Sequence, residues 1–232
     1  MFNKDKHKLI MTRILKDIYS DVTISSLLGF KGGTAAYLFY ELPRFSVDLD
    51  FDLLENSQSN RDLVFERIHD ILSKYGEVKD EQEKFFTVFF SLSYEAGEHQ
   101  IKVEINTRKT GARYEMKSYL GIPMLVTTKE SMFAGKLVAM TQRKEFVSRD
   151  LYDTHFFLTQ MWDIDRDVLT SYQIESLKTY LETCIAFIED IPDNVLLAGL
   201  GELIDEKAKV FVKNKLKNDT IFLLKVRSDI LK

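Results

Sequence analysis

The chain has 232 residues, 45% of them apolar and 29% charged, with a net charge of −4. With only 3 prolines and 10 glycines, this composition excludes a disordered or low-complexity chain. A single cysteine, Cys184, excludes an internal disulfide framework and a cysteine-based zinc site, and suits a reducing cytosol.

The start, Met1-Phe2-Asn3-Lys4-Asp5-Lys6-His7-Lys8, is charged and has no long apolar run behind it, so no signal peptide is expected. No segment approaches the ~20 apolar residues of a membrane span. The expected location is the cytoplasm, with no membrane partner. Residues 5–27 read as a helix, with Leu9, Ile10, Ile14, Leu15, Ile18 and Tyr19 at helical spacing and Gly29 ending the region. A short helix is expected over 34–42, stopped by Pro43. A strand follows over 47–54, then an amphipathic helix over 60–75 with Gly76 as its stop. Residues 85–94 are aromatic and β-branched and read as a strand. Residues 101–106 alternate, with Ile101, Val103 and Ile105 against Lys102, Glu104 and Asn106. The turn Glu95-Ala96-Gly97-Glu98 suits a hairpin between these two strands. Residues 114–126 read as extended, interrupted by Gly121 and Pro123. From Thr128 the texture turns helical, over 128–141, 149–160, 166–190 and 194–217. Cys184 reads as a small apolar residue on one of these helices. The chain thus reads as a mixed α/β unit over 1–125 and a helical unit over 126–232.

Charge is unevenly spread. Residues 41–83 carry twelve acids and five bases, and residues 207–232 carry eight bases and two acids. A basic tail can serve a polyanionic acceptor; a solvated, lysine-rich helix face is the alternative.

The chemistry concentrates in Phe30-Lys31-Gly32-Gly33-Thr34 and Arg44-Phe45-Ser46-Val47-Asp48-Leu49-Asp50-Phe51. Strand side chains alternate between faces, so Asp48 and Asp50 share one face. Adjacent carboxylates repel unless a cation lies between them. Oxygen ligands suit Mg²⁺, which usually arrives with phosphates, and a glycine turn at a helix start binds phosphate through free backbone N–H groups. Glu104, from another strand, either completes a set of metal carboxylates for phosphoryl transfer or is a solvent-facing Glu on a half-exposed sheet. Asp52 lies on the same face, either bracing the site or simply solvated.

These residues resemble the DNA-polymerase-β-like nucleotidyltransferase superfamily. Phe30-Lys31-Gly32-Gly33-Thr34-Ala35-Ala36 and the Arg-x-Ser-x-Asp-x-Asp-Phe strand, with Lys136-Leu137-Val138-Ala139-Met140-Thr141-Gln142-Arg143 and Arg149-Asp150-Leu151-Tyr152-Asp153 downstream, resemble more narrowly the AbiEii/AbiGii-type toxin family. The resemblance covers roughly residues 28–160. It implies an α/β (α+β) fold: an N-terminal polymerase-β-like mixed sheet with flanking helices, then a C-terminal helical bundle completing the site. It implies Mg²⁺ or Mn²⁺ on Asp48 and Asp50, a nucleoside triphosphate (NTP) held by Gly32, Gly33 and Thr34, and a site completed by Lys136 and an acid of the 149–153 group. Asp150 and Asp153 share a helix face and can each orient Lys136, bind the acceptor or pair with Arg149. Arg44 and Ser46 flank the metal strand and are read as bracing it and the nucleotide. Arg143, seven residues beyond Lys136, is placed on the same helix face. His155 is a base or, among Phe156, Phe157 and Leu158, a packed histidine. The implied function is nucleotidyl transfer to an acceptor, RNA or a tRNA end, by the toxin of a toxin–antitoxin or phage-defence pair with a cognate antitoxin protein. A small-molecule or protein acceptor, or a non-catalytic nucleotide-binding partner protein, are the alternatives.

Overall fold

The computed structural model describes residues 2–97 and 99–231. The chain divides into two compact units. One comprises 2–41, 45–97, 99–109 and 114–127; the other comprises 42–44, 110–113 and 128–231.

The first unit is built on a seven-stranded mixed sheet. Helix α1 (Lys4–Ser20) starts at Asn3, whose side chain accepts from the Lys6 N–H. It buries His7, Met11, Ile14, Leu15, Ile18 and Tyr19. It ends well before 27, because Asp21 folds back to accept from the Thr23 amide and hydroxyl. Gly29 does not stop a helix. It lies inside strand β1 (Leu28–Lys31), with the Tyr114 ring so close that a Cβ would sit 2.2 Å from it. Helix α2 (Gly32–Phe39) starts directly at the glycine pair. Strand β2 (Leu49–Leu53) is shorter than its apolar alternation predicts, leaving Asp48 just ahead of it. Helix α3 (Gln58–Ser73) is capped by Ser57 and buries Val64, Ile68, Ile71 and Leu72.

Strand β3 (Glu77–Lys84) has no hydrophobic signal, since it is an exposed edge strand rich in charge, a composition that discourages pairing with other chains. Strands β4 (Thr87–Ser93) and β5 (Ile101–Asn106) match their alternation. Of the expected turn between them, Glu98 lies outside the described residues. The Leu120-Gly121 turn splits 114–126 into β6 (Tyr114–Tyr119) and β7 (Ile122–Thr127). The sheet order is β3-β4-β5-β2-β1-β7-β6, with β2/β5 and β1/β7 parallel and the other neighbours antiparallel. One face carries Phe30, Phe51, Phe90, Val103 and Ile105, all fully buried; Phe65 of α3 packs on Phe90. The opposite face carries Lys31, Asp50, Asp52, Glu104, Asn106 and Phe89.

The second unit is helical: α4 (Lys129–Gln142), α5 (Ser148–Thr159), α6 (Arg166–Ser171), α7 (Leu177–Glu189), α8 (Glu206–Phe211) and α9 (Lys217–Ile230). The helix expected over 166–190 is two helices, the second capped by Ser176. Residues 194–205 are largely turns, and a helix begins only at Glu206, after the Asp205 cap. It then runs through a π-helical segment, Val212–Leu216, into α9. Trp162 stacks on Phe157 at 4.2 Å, and Phe133 packs edge-on to Phe157. Cys184 is buried on α7, where burial pushes its thiol up to about 12. That is an inert packing role. Among the described residues no helix is long and apolar enough to cross a membrane.

Candidate active site

In the sheet unit the candidate acids are brought together by strand register. Asp50 and Glu104 are direct neighbours across parallel strands β2 and β5, so their side chains leave the same face side by side. Lys31 is the antiparallel partner of Asp50 on the other side. Asp48 precedes β2, and its backbone carbonyl accepts from the Thr34 hydroxyl. Thr34 is buried, so its side chain ties α2 to the entry of β2.

Gly32 takes a φ of +78°, and a Cβ there would lie 2.1 Å from Asp50 Oδ2. Both conditions demand glycine: the left-handed backbone, and a carboxylate seated against the Cα. The turn and the acid therefore form one structure. Gly33 follows it as the second residue of α2, and Ser46 is buried just upstream of Asp48.

Asp52 is not solvated. It is buried and accepts from Lys31 Nζ (2.5 Å), Asn106 Nδ2 (2.6 Å) and the Tyr114 hydroxyl (2.5 Å). Its three donors come from β1, β5 and β6, so this acid binds together the three strands that flank or approach Asp50 and Glu104. These donors escaped the sequence reading. The signals were present: Lys31 stands next to Gly32, and Asn106 stands two residues beyond Glu104. A further tie comes from His7, fully buried on α1, whose Nε2 donates to the Val47 carbonyl (2.9 Å) while Nδ1 pairs with the Tyr94 hydroxyl (2.8 Å).

Among the described residues no three His, Cys, Asp or Glu side chains converge into a ready-made metal cage. Asp48, Asp50 and Glu104 offer the all-oxygen donor set that Mg²⁺ prefers. That ion commonly takes one or two carboxylates and completes its shell with water and substrate phosphates. The residues present fit such an ion.

The helical unit holds the other candidates in a buried ion cluster of its own. Arg44 donates from Nε and Nη2 to the two oxygens of Asp153, each at 2.6 Å, with both side chains at most 2% exposed. Lys136 donates to Asp150 Oδ1 (2.7 Å) and lies 3.0 Å from Asp153 Oδ2. Asp150 and Asp153 therefore both orient Lys136, and Asp153 also clamps Arg44. Among the described residues Asp150 Oδ2 accepts no hydrogen bond, though Arg143 Nη1 stands 3.3 Å away. Arg143 is past the end of α4, in extended conformation, and reaches Asp150 from there rather than along a shared helix face.

Burial alone would push the Lys136 amine down. The Asp150 and Asp153 carboxylates outweigh it and hold the group above the ordinary lysine value, hence charged. Burial alone would raise Asp153. Arg44 and Lys136 outweigh it and hold the carboxyl below the usual range. His155 packs against Phe211 at 5.0 Å and pairs with Asp219 at 2.7 Å, the packed reading of this residue.

A family model described as "Nucleotidyl transferase AbiEii toxin, Type IV TA system" matches residues 13–217. Among solved structures, a candidate nucleotidyltransferase from H. pylori is 20% identical with a TM-score of 0.57, the alignment covering 98% of this chain and 96% of that one. JHP933 from Helicobacter pylori is 21% identical with a TM-score of 0.54, covering 100% and 98%. At these identities the likeness speaks for the fold, a mixed sheet followed by helices. No curated protein matches the sequence. Because the family match spans most of its length, the chain belongs to the AbiEii nucleotidyl transferase toxin family of type IV toxin–antitoxin systems and is a nucleotidyltransferase.

Proposed function

We propose that this protein transfers a nucleoside monophosphate from a Mg²⁺-bound NTP to an RNA acceptor, a tRNA end among them, as the cytoplasmic toxin of a pair that serves phage defence. The observation that carries this reading is the lateral register of Asp50 with Glu104, beside the Gly32 turn against which the Asp50 carboxylate packs. Asp48, Asp50 and Glu104 would hold the metal; when bound, the ion offsets the charge of the transferring phosphoryl group and of the leaving pyrophosphate. The backbone N–H groups of Gly32 and Gly33 open α2 and receive the triphosphate. In the helical unit Lys136, kept charged by Asp150 and Asp153, is a cation suited to a triphosphate, and Arg44 fixes Asp153. Thr34 and Ser46 hold the approach to Asp48. Glu104, exposed on its strand, accepts the proton of the attacking hydroxyl through a carboxylate oxygen. Position and charge, rather than a covalent enzyme intermediate, supply the acceleration.

Four bases of the tail are matched by acids. Lys209 pairs with Glu206, Lys217 with Asp193, Lys225 with Glu189 and Arg227 with Asp163. Those four fit a solvated, internally matched helix face, while Lys207, Lys213 and Lys215 stand exposed and fit the polyanion-facing alternative.

The test is to incubate wild type and Asp50→Asn with Mg²⁺, total RNA and each NTP labelled at the α-phosphate. Wild type labels RNA and the variant does not. Label on protein or small molecules alone refutes the acceptor, and equal turnover by the variant refutes the site.

A further inference from the structure

The hairpin between β3 and β4 turns through two residues, Phe85 and Phe86. Two-residue hairpin turns ordinarily use Asn-Gly, Asp-Gly or Gly-containing pairs. Here two large aromatic side chains occupy the tip and face solvent, Phe85 80% exposed and Phe86 42% exposed. Neither contributes to the core, and such a break with local rules without a packing gain points to a use.

The tip is held in place. The Phe85 carbonyl accepts from Arg61 Nη1 (3.4 Å), and the Phe86 carbonyl accepts from the Thr107 amide (3.0 Å). The rings stand edge to face at 4.4 Å. The Arg108 guanidinium lies 4.1 Å over the Phe86 ring, and Lys109 follows it, also exposed. Toward the acids, Phe89 is the cross-strand partner of Glu104, and Lys84 Nζ sits 5.6 Å over the Phe89 ring. Of the acids on β3, Glu83 pairs with Arg61 and Glu77 with Lys79, Glu81 hydrogen-bonds the His69 ring, and Asp80 accepts from Gln82.

We propose that this hairpin is the acceptor platform: it binds single-stranded RNA by stacking bases on Phe85 and Phe86 while Lys84, Arg108 and Lys109 meet the phosphates. The inference rests on the reading of RNA as acceptor and locates it. Exposed aromatic faces beside cations are the sequence-tolerant chemistry of single-strand binding. Continuity with the site favours RNA over an apolar protein partner. Strand β5 ends at Asn106, two residues past Glu104, and Arg108 stands two residues beyond that, at most about 13 Å from Glu104 along the chain, so a strand stacked on the tip lies close to the metal carboxylates.

The experiment uses the full chain, short labelled single-stranded RNA, and the same RNA annealed into a duplex, with anisotropy read across a salt series. The variant F85L/F86L keeps apolar bulk and removes the π faces. It should weaken single-strand binding by about tenfold or more, the size of one lost stack, without changing the salt slope. F85W/F86W should restore binding. Arg108→Gln with Lys109→Gln should flatten the slope. Mg²⁺–NTP affinity by calorimetry and the melting curve should match wild type throughout. Wild-type RNA affinity in F85L/F86L overturns the proposal. So does a variant that binds RNA normally but escapes its antitoxin, which would assign the tip to a protein. Wild type that binds Mg²⁺–NTP but no single-stranded RNA overturns the platform and leaves nucleotidyl transfer standing.

Discussion

Asp153 is the point at which the helical unit is most exposed to a single substitution. Its carboxylate receives two charged bonds from Arg44 at 2.6 Å and a third contact from Lys136 at 3.0 Å, with no exposure of its side chain. Asp153→Asn keeps the shape and one acceptor oxygen but removes the charge. Arg44 and Lys136 are then left with the charge of Asp150 alone. Breaking a buried pair from one side costs about 3–5 kcal/mol. The retained amide oxygen puts this variant near the low end, about 3 kcal/mol. For a chain of this size that is a fall of about 6–12 °C in Tm. Thermal and urea melts followed by circular dichroism measure it, and a cycle with Arg44→Met tests the cause. If the pair carries the loss, Arg44→Met and Asp153→Asn together destabilise by clearly less than the sum of the two alone. A Tm within a degree or two of wild type, or strict additivity, refutes the argument.

Gly32→Ala should combine left-handed strain of about 1 kcal/mol with displacement of the Asp50 carboxylate. Mg²⁺–NTP affinity, measured by calorimetry, should fall much more than stability does, and unchanged affinity would separate the turn from the site. For pH, the depressed Asp153 contributes stability that is fully present above the ordinary carboxylate value and is lost as pH falls through its lowered one. The raised Lys136 contributes stability that is present below the ordinary lysine value of 10.5 and lost as pH climbs past its raised one. Melts across pH should therefore show the gap between wild type and Asp153→Asn closing in acid, and a gap constant down to strongly acidic pH would contradict the assignment.

Much of the sheet unit was legible because its signals are local. The glycine pair opens α2, and the 101–106 alternation is β5 residue for residue. What the sequence hid was set by partners distant in the chain. The alternation over 47–54 predicts one face for Asp48, Asp50 and Asp52, of which β2 carries the last two, but only the sheet shows that Lys31, Asn106 and Tyr114 enclose Asp52. Similarly, the spacing of Asp150 and Asp153 left their roles open, since Arg44 reaches Asp153 from more than a hundred residues away. Strand β3 was invisible for a different reason. It is an exposed edge whose residues need no apolar alternation, and its hydrogen bonds to β4 hold it in the sheet.

Charge counted in windows along the chain says little about where charge gathers in space. The surplus of bases over 207–232 is reduced, not cancelled, because Glu206, Glu189, Asp163 and Asp193 supply counter-charges from earlier segments. The surplus of acids over 41–83 persists but is spread over several places. Glu81 and Glu83 face His69 and Arg61 of α3, Asp70 faces Arg67, and Asp52 is enclosed by its donors. Only Asp48 and Asp50 belong to the candidate metal site. A polyanion responds to charge within about a Debye length, ~8 Å at physiological salt, and not to a count along the sequence. One short surface satisfies this condition, where Arg108 and Lys109 stand beside two exposed rings on the hairpin. Its cations number fewer than those of the tail, but they stand next to the aromatic faces that would hold the bases, and that pairing of charge with stacking is what distinguishes a single-strand site from a solvated lysine face.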